Sequence, residues 1–315
     1  DVAPSRGLGD VYKRQPLLSL SLLVTPAYSS HAAENAEAAK TSVEGQGMLS
    51  PSSSSESSES VFNGSGAGTS SEPVTDEKLE TILKQVQSQL PAENGTWAVF
   101  ISDLVNGTEG SLNDQKMQAA SLIKLYIMGA VYENYDQITG QYGRDSVDSN
   151  LYSMITVSDN DAANTLTTYL GGGDSAAGMQ AVNSFCQAHG YDQTHMGRML
   201  LASNENDDNY TSVGDCGHLL QEIYKQDTSG YTHAADMFNL LKAQTRCNKI
   251  PAQLPEGVKT ANKTGELDNV ENDAGIIYDS KNDIVIVFMS QNLSSAGSAQ
   301  NTIATLSRTI YDYYN

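Results

Sequence analysis

Strand-like patterns stand near both ends of residues 75–315, with a long helical block between them. That arrangement limits the fold more than any other feature, because the two strand groups must meet in one sheet. Near the start, "TWAVFISDLVNG" is an apolar run entering a turn at Asn106-Gly107, a strong hairpin signal. Near the end, "GVKTANKTGEL", "AGIIYD" and "DIVIVFMS" read as strands, with a turn at "SKND". Residues 118–245 between them read as mostly helical. Leu79, Ile82, Leu83, Val86 and Leu90 keep helical spacing until Pro91, and Ile303, Leu306, Ile310 and Tyr313 mark a closing helix. Antiparallel strands joined by short turns, with helices packed on them, make an α+β fold. The expectation is one antiparallel sheet flanked by helices, with an inserted all-helical subdomain.

Residues 1–74 differ in kind. In residues 1–33, "DVAPSRGLGDVYKRQ" looks unlike the rest and reads as an artefact of cloning or sequencing. "PLLSLSLLVTPAYSSHAA" has the apolar run and small residues of a secretory signal. The run is too short for a stable membrane span. Residues 34–74 are rich in Ser, Glu and Gly, as in "PSSSSESSES". Such a segment buries too little apolar area to offset its ordering entropy and reads as a flexible acidic tether. Residues 75–315 are the expected folded domain, and the signal-like run places it outside the cytoplasm, secreted or attached to the cell envelope.

The net charge of −20 repels phosphate backbones and anionic membrane surfaces, which disfavours nucleic acid as a partner. Cys186, Cys216 and Cys247 form no C-x-x-C pair. Cys216 with Cys247 is the first disulfide to test, against three reduced thiols. The five histidines have no H-x-H or H-E-x-x-H spacing, which argues against a metal hydrolase.

Three short stretches carry chemistry. In "QAASLIKLYIM", Ser121 and Lys124 lie three residues apart at a helix start, hence on one face. Apolar neighbours disfavour the ammonium and lower the amine's pKa, and a neutral amine beside a hydroxyl can activate it as a nucleophile. In "VSDNDAAN", Ser158, Asp159 and Asn160 stand between two helices, where a helix cap is the ordinary role of such residues. In "NKTGEL", Lys263, Thr264 and Gly265 lie on a strand near the C-terminus, and glycine there lets another backbone approach. Each stretch is weak alone. Together S-x-x-K, S-D-N and K-T-G, in that order and in those contexts, are the motif set of class A β-lactamases and penicillin-binding proteins.

Residues 75–315 therefore resemble the class A β-lactamase family and related penicillin-recognising enzymes. The resemblance implies an acylated nucleophile at Ser121 and a general base or proton relay at Lys124. It implies that Ser158 passes a proton to the leaving β-lactam nitrogen. Asn160 would hold the substrate's side-chain amide and position Lys124. Lys263 and Thr264 would receive the substrate carboxylate, and Gly265 would permit close approach. The N–H groups of Ser121 and Glu266 would form the oxyanion hole. The implied partner is a β-lactam or a peptidoglycan-like peptide, bound by a monomer, with no metal or organic cofactor needed.

The sequence departs from that family at one decisive place. Arg198 matches the arginine opening the family's deacylation loop, but Leu200 stands where its water-activating glutamate belongs. Leucine cannot take a proton. Glu205 is the nearest carboxylate, within what otherwise reads as a solvated acidic loop with Asp207 and Asp208. Asn204 is the candidate for a water-positioning asparagine. Three readings are open: a β-lactamase with another water activator, an enzyme of the same chemistry acting on D-Ala-D-Ala peptides or another acyl substrate, and a non-catalytic or sensor domain that binds or traps β-lactam covalently.

Overall fold

The computed structural model describes residues 76–226 and 230–315; the signal-like segment and the tether lie outside the described residues. Helix α1 (Glu77–Gln89) starts at Asp76, whose carboxylate accepts the N–H groups of Lys78 and Leu79, satisfying donors that a helix start leaves free. Strands β1 (Thr96–Asp103) and β2 (Thr108–Leu112) form the expected hairpin. Its Gly107 has φ 71°, a left-handed value that suits glycine. Strands β5 (Lys259–Leu267), β6 (Val270–Tyr278) and β7 (Ile284–Gln291) precede the final helix α9 (Ala296–Tyr314).

All five strands pair antiparallel in the order β2-β1-β7-β6-β5. The two ends of the domain thus meet where β1 pairs with β7. Alternation along the strands divides the core. Trp97, Val99, Ile101, Ile286 and Phe288 face a cluster with Ile82 and Val86 of α1 and Ile303 and Ile310 of α9. Ala98, Phe100, Val285, Val287 and Ala261 face the inserted helices. Each fully buried side chain of this kind contributes about 1.5–3 kcal/mol.

The insert holds α2 (Ile123–Glu133), α3 (Tyr135–Tyr142), α4 (Arg144–Thr156), α5 (Asn160–Leu170), α6 (Ser175–Ala188), α7 (Val213–Lys225) and α8 (Ala234–Lys242). Among the described residues no helix is long and apolar enough to cross a membrane. The insert is not wholly helical, because β3 (Met117–Gln118) and β4 (Tyr210–Thr211) pair as a small ribbon. Two-residue strands are too short to show a period of two. Strand β6 also begins earlier than its apolar run, at Val270. Its first polar residues are buried because each has a partner: Glu271 meets Lys249, Asn272 bonds backbone carbonyls, and Asp273 accepts from Asn262.

Of the two cysteine states left open, the structure has the three reduced thiols and no Cys216–Cys247 bridge. Cys216 is buried in α7 and Cys247 is exposed beyond α8, and both are free thiols, as is the buried Cys186. Burial pushes the Cys186 and Cys216 thiols up to about 12, which suppresses the reactive thiolate. A thiol reagent should therefore modify Cys247 alone in the native protein and all three cysteines after denaturation. Protection of Cys247 without reductant, lost when reductant is added, would restore the disulfide.

Candidate active site

Ser121 sits in a 3-10 turn, Ala120–Leu122, that runs directly into α2. The preceding residue, Ala120, has φ 47°, an uncommon conformation for alanine that persists only under surrounding constraint. That constraint is visible on both sides. The Ala119 N–H donates to the Asn209 carbonyl at 2.9 Å. The Asn272 amide donates to the carbonyls of Gln118 and Ala119 at 2.9 and 3.2 Å. Gly265 faces the same turn from β5, and a Cβ there would stand 2.8 Å from Ala119 O and 3.1 Å from Ser121 N. The K-T-G glycine thus sets how closely the strand approaches the serine backbone.

Lys124, on the first turn of α2, has no solvent exposure. Its Nζ lies 2.7 Å from Asn160 Oδ1, 2.7 Å from the Ser158 carbonyl, and 3.1 Å from both Ser121 Oγ and Ser158 Oγ. The first two partners can only accept. A neutral amine has two N–H groups, which those acceptors use. Its lone pair is then left for a hydroxyl proton. Burial pulls the amine down to about 7; Asp159 opposes this and Arg246 reinforces it. The neutral form is therefore reached near neutral pH.

The Ser158–Asn160 loop divides its labour. Asp159 is the cap of α5, accepting the Ala162 N–H at 2.7 Å. Ser158 has φ 62°, and its hydroxyl lies between two lysines, with Lys263 Nζ donating to it at 2.9 Å. The loop is anchored from below. Thr245 donates to the Thr156 carbonyl through its N–H and its hydroxyl, and Gln244 donates to the Ile155 carbonyl. These bonds tie the end of α4 to the segment leaving α8.

Strand β5 is an edge of the sheet and has two distinct faces. Lys263, buried, donates to Ser158 Oγ and to the Thr264 carbonyl at 2.7 Å. Burial first, and then the neighbouring Lys124, pulls its amine well below the usual lysine range, while Asp273 opposes. On the other face Glu266 accepts from Lys249 at 2.8 Å and from Arg246 at 3.1 Å. Burial alone would raise the Glu266 carboxyl, but Lys249 and Arg246 outweigh it and hold it below its ordinary value. Thr264 is buried beside Lys263.

A cleft of about 330 Å3 opens over Ser121, lined by Asn160, Leu200, Leu201, Asn204 and Glu266 among others. Leu200 is nearly buried, at 8% exposure. The Asn164 side chain holds its backbone twice, accepting the Leu200 N–H at 2.8 Å and donating to its carbonyl at 3.0 Å. Asn160 and Asn164 are one turn apart on α5, a spacing readable in the sequence. Glu205 is exposed and does not line the cleft, so it is no displaced base. Asp207 is exposed as expected, but Asp208 is not a solvated loop residue. It is buried and bonds Arg198 Nε at 2.6 Å, Gln118 at 2.9 Å and Asn204 at 3.4 Å. Burial works against the Asp208 carboxylate, but the bonds from Gln118, the Asn209 N–H and Arg198 prevail and keep it ionised. The Arg198–Asp208 pair closes the base of the loop.

All eight site residues expected from sequence thus fall within one constellation, on the turn before α2, the α4–α5 loop and β5. Asn164, Asn272, Arg246 and Lys249 join it without a motif of their own. A sequence model of the β-lactamase enzyme family matches residues 78–145 and 141–314.

The chain belongs to the β-lactamase enzyme family.

A search of curated proteins finds no match. Solved structures show the same fold. A β-lactamase from Sphaerobacter thermophilus is 22% identical, with 74% of this chain and 96% of that chain covered and a TM-score of 0.63. PBP-A is 22% identical over the same shares, with a TM-score of 0.65. A class A β-lactamase described as the last common ancestor of Gram-negative bacteria is 20% identical, with 75% and 100% covered and a TM-score of 0.64. Members of the β-lactamase fold class thus share the antiparallel sheet and the inserted helices described above.

Two outcomes follow from this geometry. The rate of covalent modification at Ser121 by a β-lactam should rise with pH through about 7, as Lys124 loses its proton; a rate flat between pH 5 and 9 removes Lys124 as the titrating base. Gly265→Ala should slow that modification by at least about tenfold while the melting temperature shifts little, because the added methyl displaces β5 from the Ser121 backbone.

Proposed function

We propose that the protein is a β-lactamase-type acyl-serine enzyme that opens β-lactams through an ester on Ser121 and releases the product slowly. The observation that carries the reading is the Lys124 amine. Both its N–H groups are committed to acceptors, and its lone pair is free toward Ser121 at 3.1 Å. Lys124 takes the Ser121 proton as Oγ attacks the lactam carbonyl. The N–H groups of Ser121 and Glu266 receive the oxyanion; one such donor contributes about 2.7–4 kcal/mol. As the C–N bond breaks, Ser158 gives its hydroxyl proton to the ring nitrogen and recovers one from the lysines beside it. Lys263 and Thr264 receive the substrate carboxylate, and Asn160 the side-chain amide. No step calls for a metal.

Slow release follows from Leu200, an apolar side chain in the cleft wall with no carboxylate at its position. The same residue favours a second reading, in which the natural acyl donor is a D-alanyl peptide and β-lactams are poor leaving substrates. PBP-A is a structural relative, and a leucine-to-glutamate mutant of it is described as an acyl-enzyme complex with penicillin G. A domain acting on either substrate belongs outside the cytoplasm, in keeping with the signal-like stretch at residues 16–33.

A chromogenic cephalosporin followed by colour and intact mass tests the proposal. The expected result is a stoichiometric burst, a lasting adduct on Ser121, and slow steady turnover. Ser121→Ala should form no adduct; an adduct that survives this change sinks the nucleophile assignment. Leu200→Glu should shorten the adduct's lifetime by about tenfold or more, by placing a general base in the cleft wall. Release of D-alanine from an acyl-D-Ala-D-Ala peptide, faster than β-lactam turnover, would select the second reading.

A further inference from the structure

A second cleft, of about 480 Å3, opens between α4 and α8 and shares no lining residue with the cleft at Ser121. Its size is within the range of about 300–1,000 Å3 common to small-ligand sites. From α4 it takes Arg144, Asp148 and Tyr152, at i, i+4 and i+8 and so on one face. They span about 12 Å along the helix. Asp236 and Asn239 of α8 face them.

The floor is aromatic. The Tyr132 ring stacks on His233, with centroids 5.0 Å apart, and on Tyr135 at 5.5 Å. At the mouth, Tyr152 is 55% exposed, a large ring surface left in water. A neighbouring cleft of about 250 Å3 shares Tyr132, Tyr135 and His233, so the groove continues past the aromatic stack.

The polar groups around this floor are of mixed character. Asp148 Oδ1 accepts from the Tyr135 hydroxyl, and Arg144 Nη1 donates to the same hydroxyl at 3.1 Å. Asp236 Oδ2 lies 2.9 Å from His233 Nδ1. The second oxygen of each carboxylate, the Asn239 amide and the Tyr152 hydroxyl have no partner among the described residues. A cationic ligand would meet the Arg144 guanidinium, already seated over Tyr135 at 5.1 Å. An anionic ligand would meet Asp148 and Asp236. A neutral ligand with many hydroxyls avoids both conflicts. It offers donors to the carboxylates and acceptors to Arg144 and Asn239. If it also has a C–H face, that face suits the rings, because tyrosine gives a wide rigid contact at low entropic cost.

We propose that the α4–α8 groove binds a neutral oligosaccharide. Its pyranose rings lie on Tyr152 and on the Tyr132–His233 stack, and its hydroxyls bond Asp148, Asp236, Asn239 and Arg144. The groove also has a direction. Helix α4 ends at Thr156, two residues before Ser158, and α8 ends at Lys242, four residues before Arg246. A bound chain braces the two helices whose ends carry parts of the Ser121 site.

Saturation-transfer NMR and calorimetry on the folded protein test this with two probes, the N-acetylglucosamine tetramer and cellotetraose. Both are neutral β-linked pyranose chains, and a preference between them shows whether an acetamido group is read. At least one should bind. Tyr152→Ala and Asn239→Ala should each weaken it by about tenfold, with melting temperature and Ser121 acylation unchanged. Both residues are exposed, so either variant suffices if the other folds poorly. The proposal is overturned if neither sugar shows saturation transfer, or if neither variant weakens binding. Capture of tetramethylammonium in place of the sugar also overturns it, since that would make the groove an aromatic cage for cations.

Discussion

The interaction on which this site depends is the enclosure of one amine by groups that can only accept. Lys124 is sealed from water and faces the Ser158 carbonyl and Asn160 Oδ1 at 2.7 Å each. Removing an ammonium from water is costly unless it is paired, and no carboxylate bonds it here. The amine instead sheds its proton near neutrality, and the two acceptors fix which of its faces holds the lone pair. The Ser121 turn, the Ser158 loop and Lys263 are then arranged around that face. The helical insert supplies the amine and the loop, and the sheet edge supplies the second lysine. The site exists only where the two layers meet.

Much of this was legible in the chain. Ser121 and Lys124 are one helical turn apart, and the apolar runs "TWAVFISD" and "DIVIVFMS" read as strands from the two ends of the domain. Asp159 and Ser158 show why motif and local chemistry need not compete, since Asp159 caps α5 while its neighbour turns into the cleft. The missed features have physical reasons. The β3–β4 ribbon is two residues long on each side and leaves no periodic trace. Asn272, Lys249 and Asp208 are polar side chains made buriable by partners distant in sequence, such as Ala119, Glu271 and Gln118. No local window contains such pairs. The choice between a Cys216–Cys247 bridge and three reduced thiols stayed open for a similar reason, because cysteine spacing says nothing of which thiol a helix turns inward.

Edge strand β5 shows how the sheet serves two ends. Lys263 and Gly265 face the serine, while Glu266 is gripped from behind by Lys249, which also holds Glu271 of β6. Gln300 of α9 reaches Glu271 in turn. The last helix of the chain is therefore connected, through two carboxylates and one buried amine, to the strand that borders Ser121. Pairs built on a buried amine such as Lys249 contribute little net stability, and here their effect is to fix the position of an otherwise unpaired edge.

Asn164 grips Leu200 only by its main chain. Those two bonds make no demand on the side chain, which itself packs in the main hydrophobic cluster. Under the proposed function, acceptance of an acyl group rests on α2, the α4–α5 loop and β5, whereas its persistence rests on one side chain of a separately anchored backbone. A fold wired in this way would hold a clock whose rate can be reset without rebuilding the mechanism that starts it.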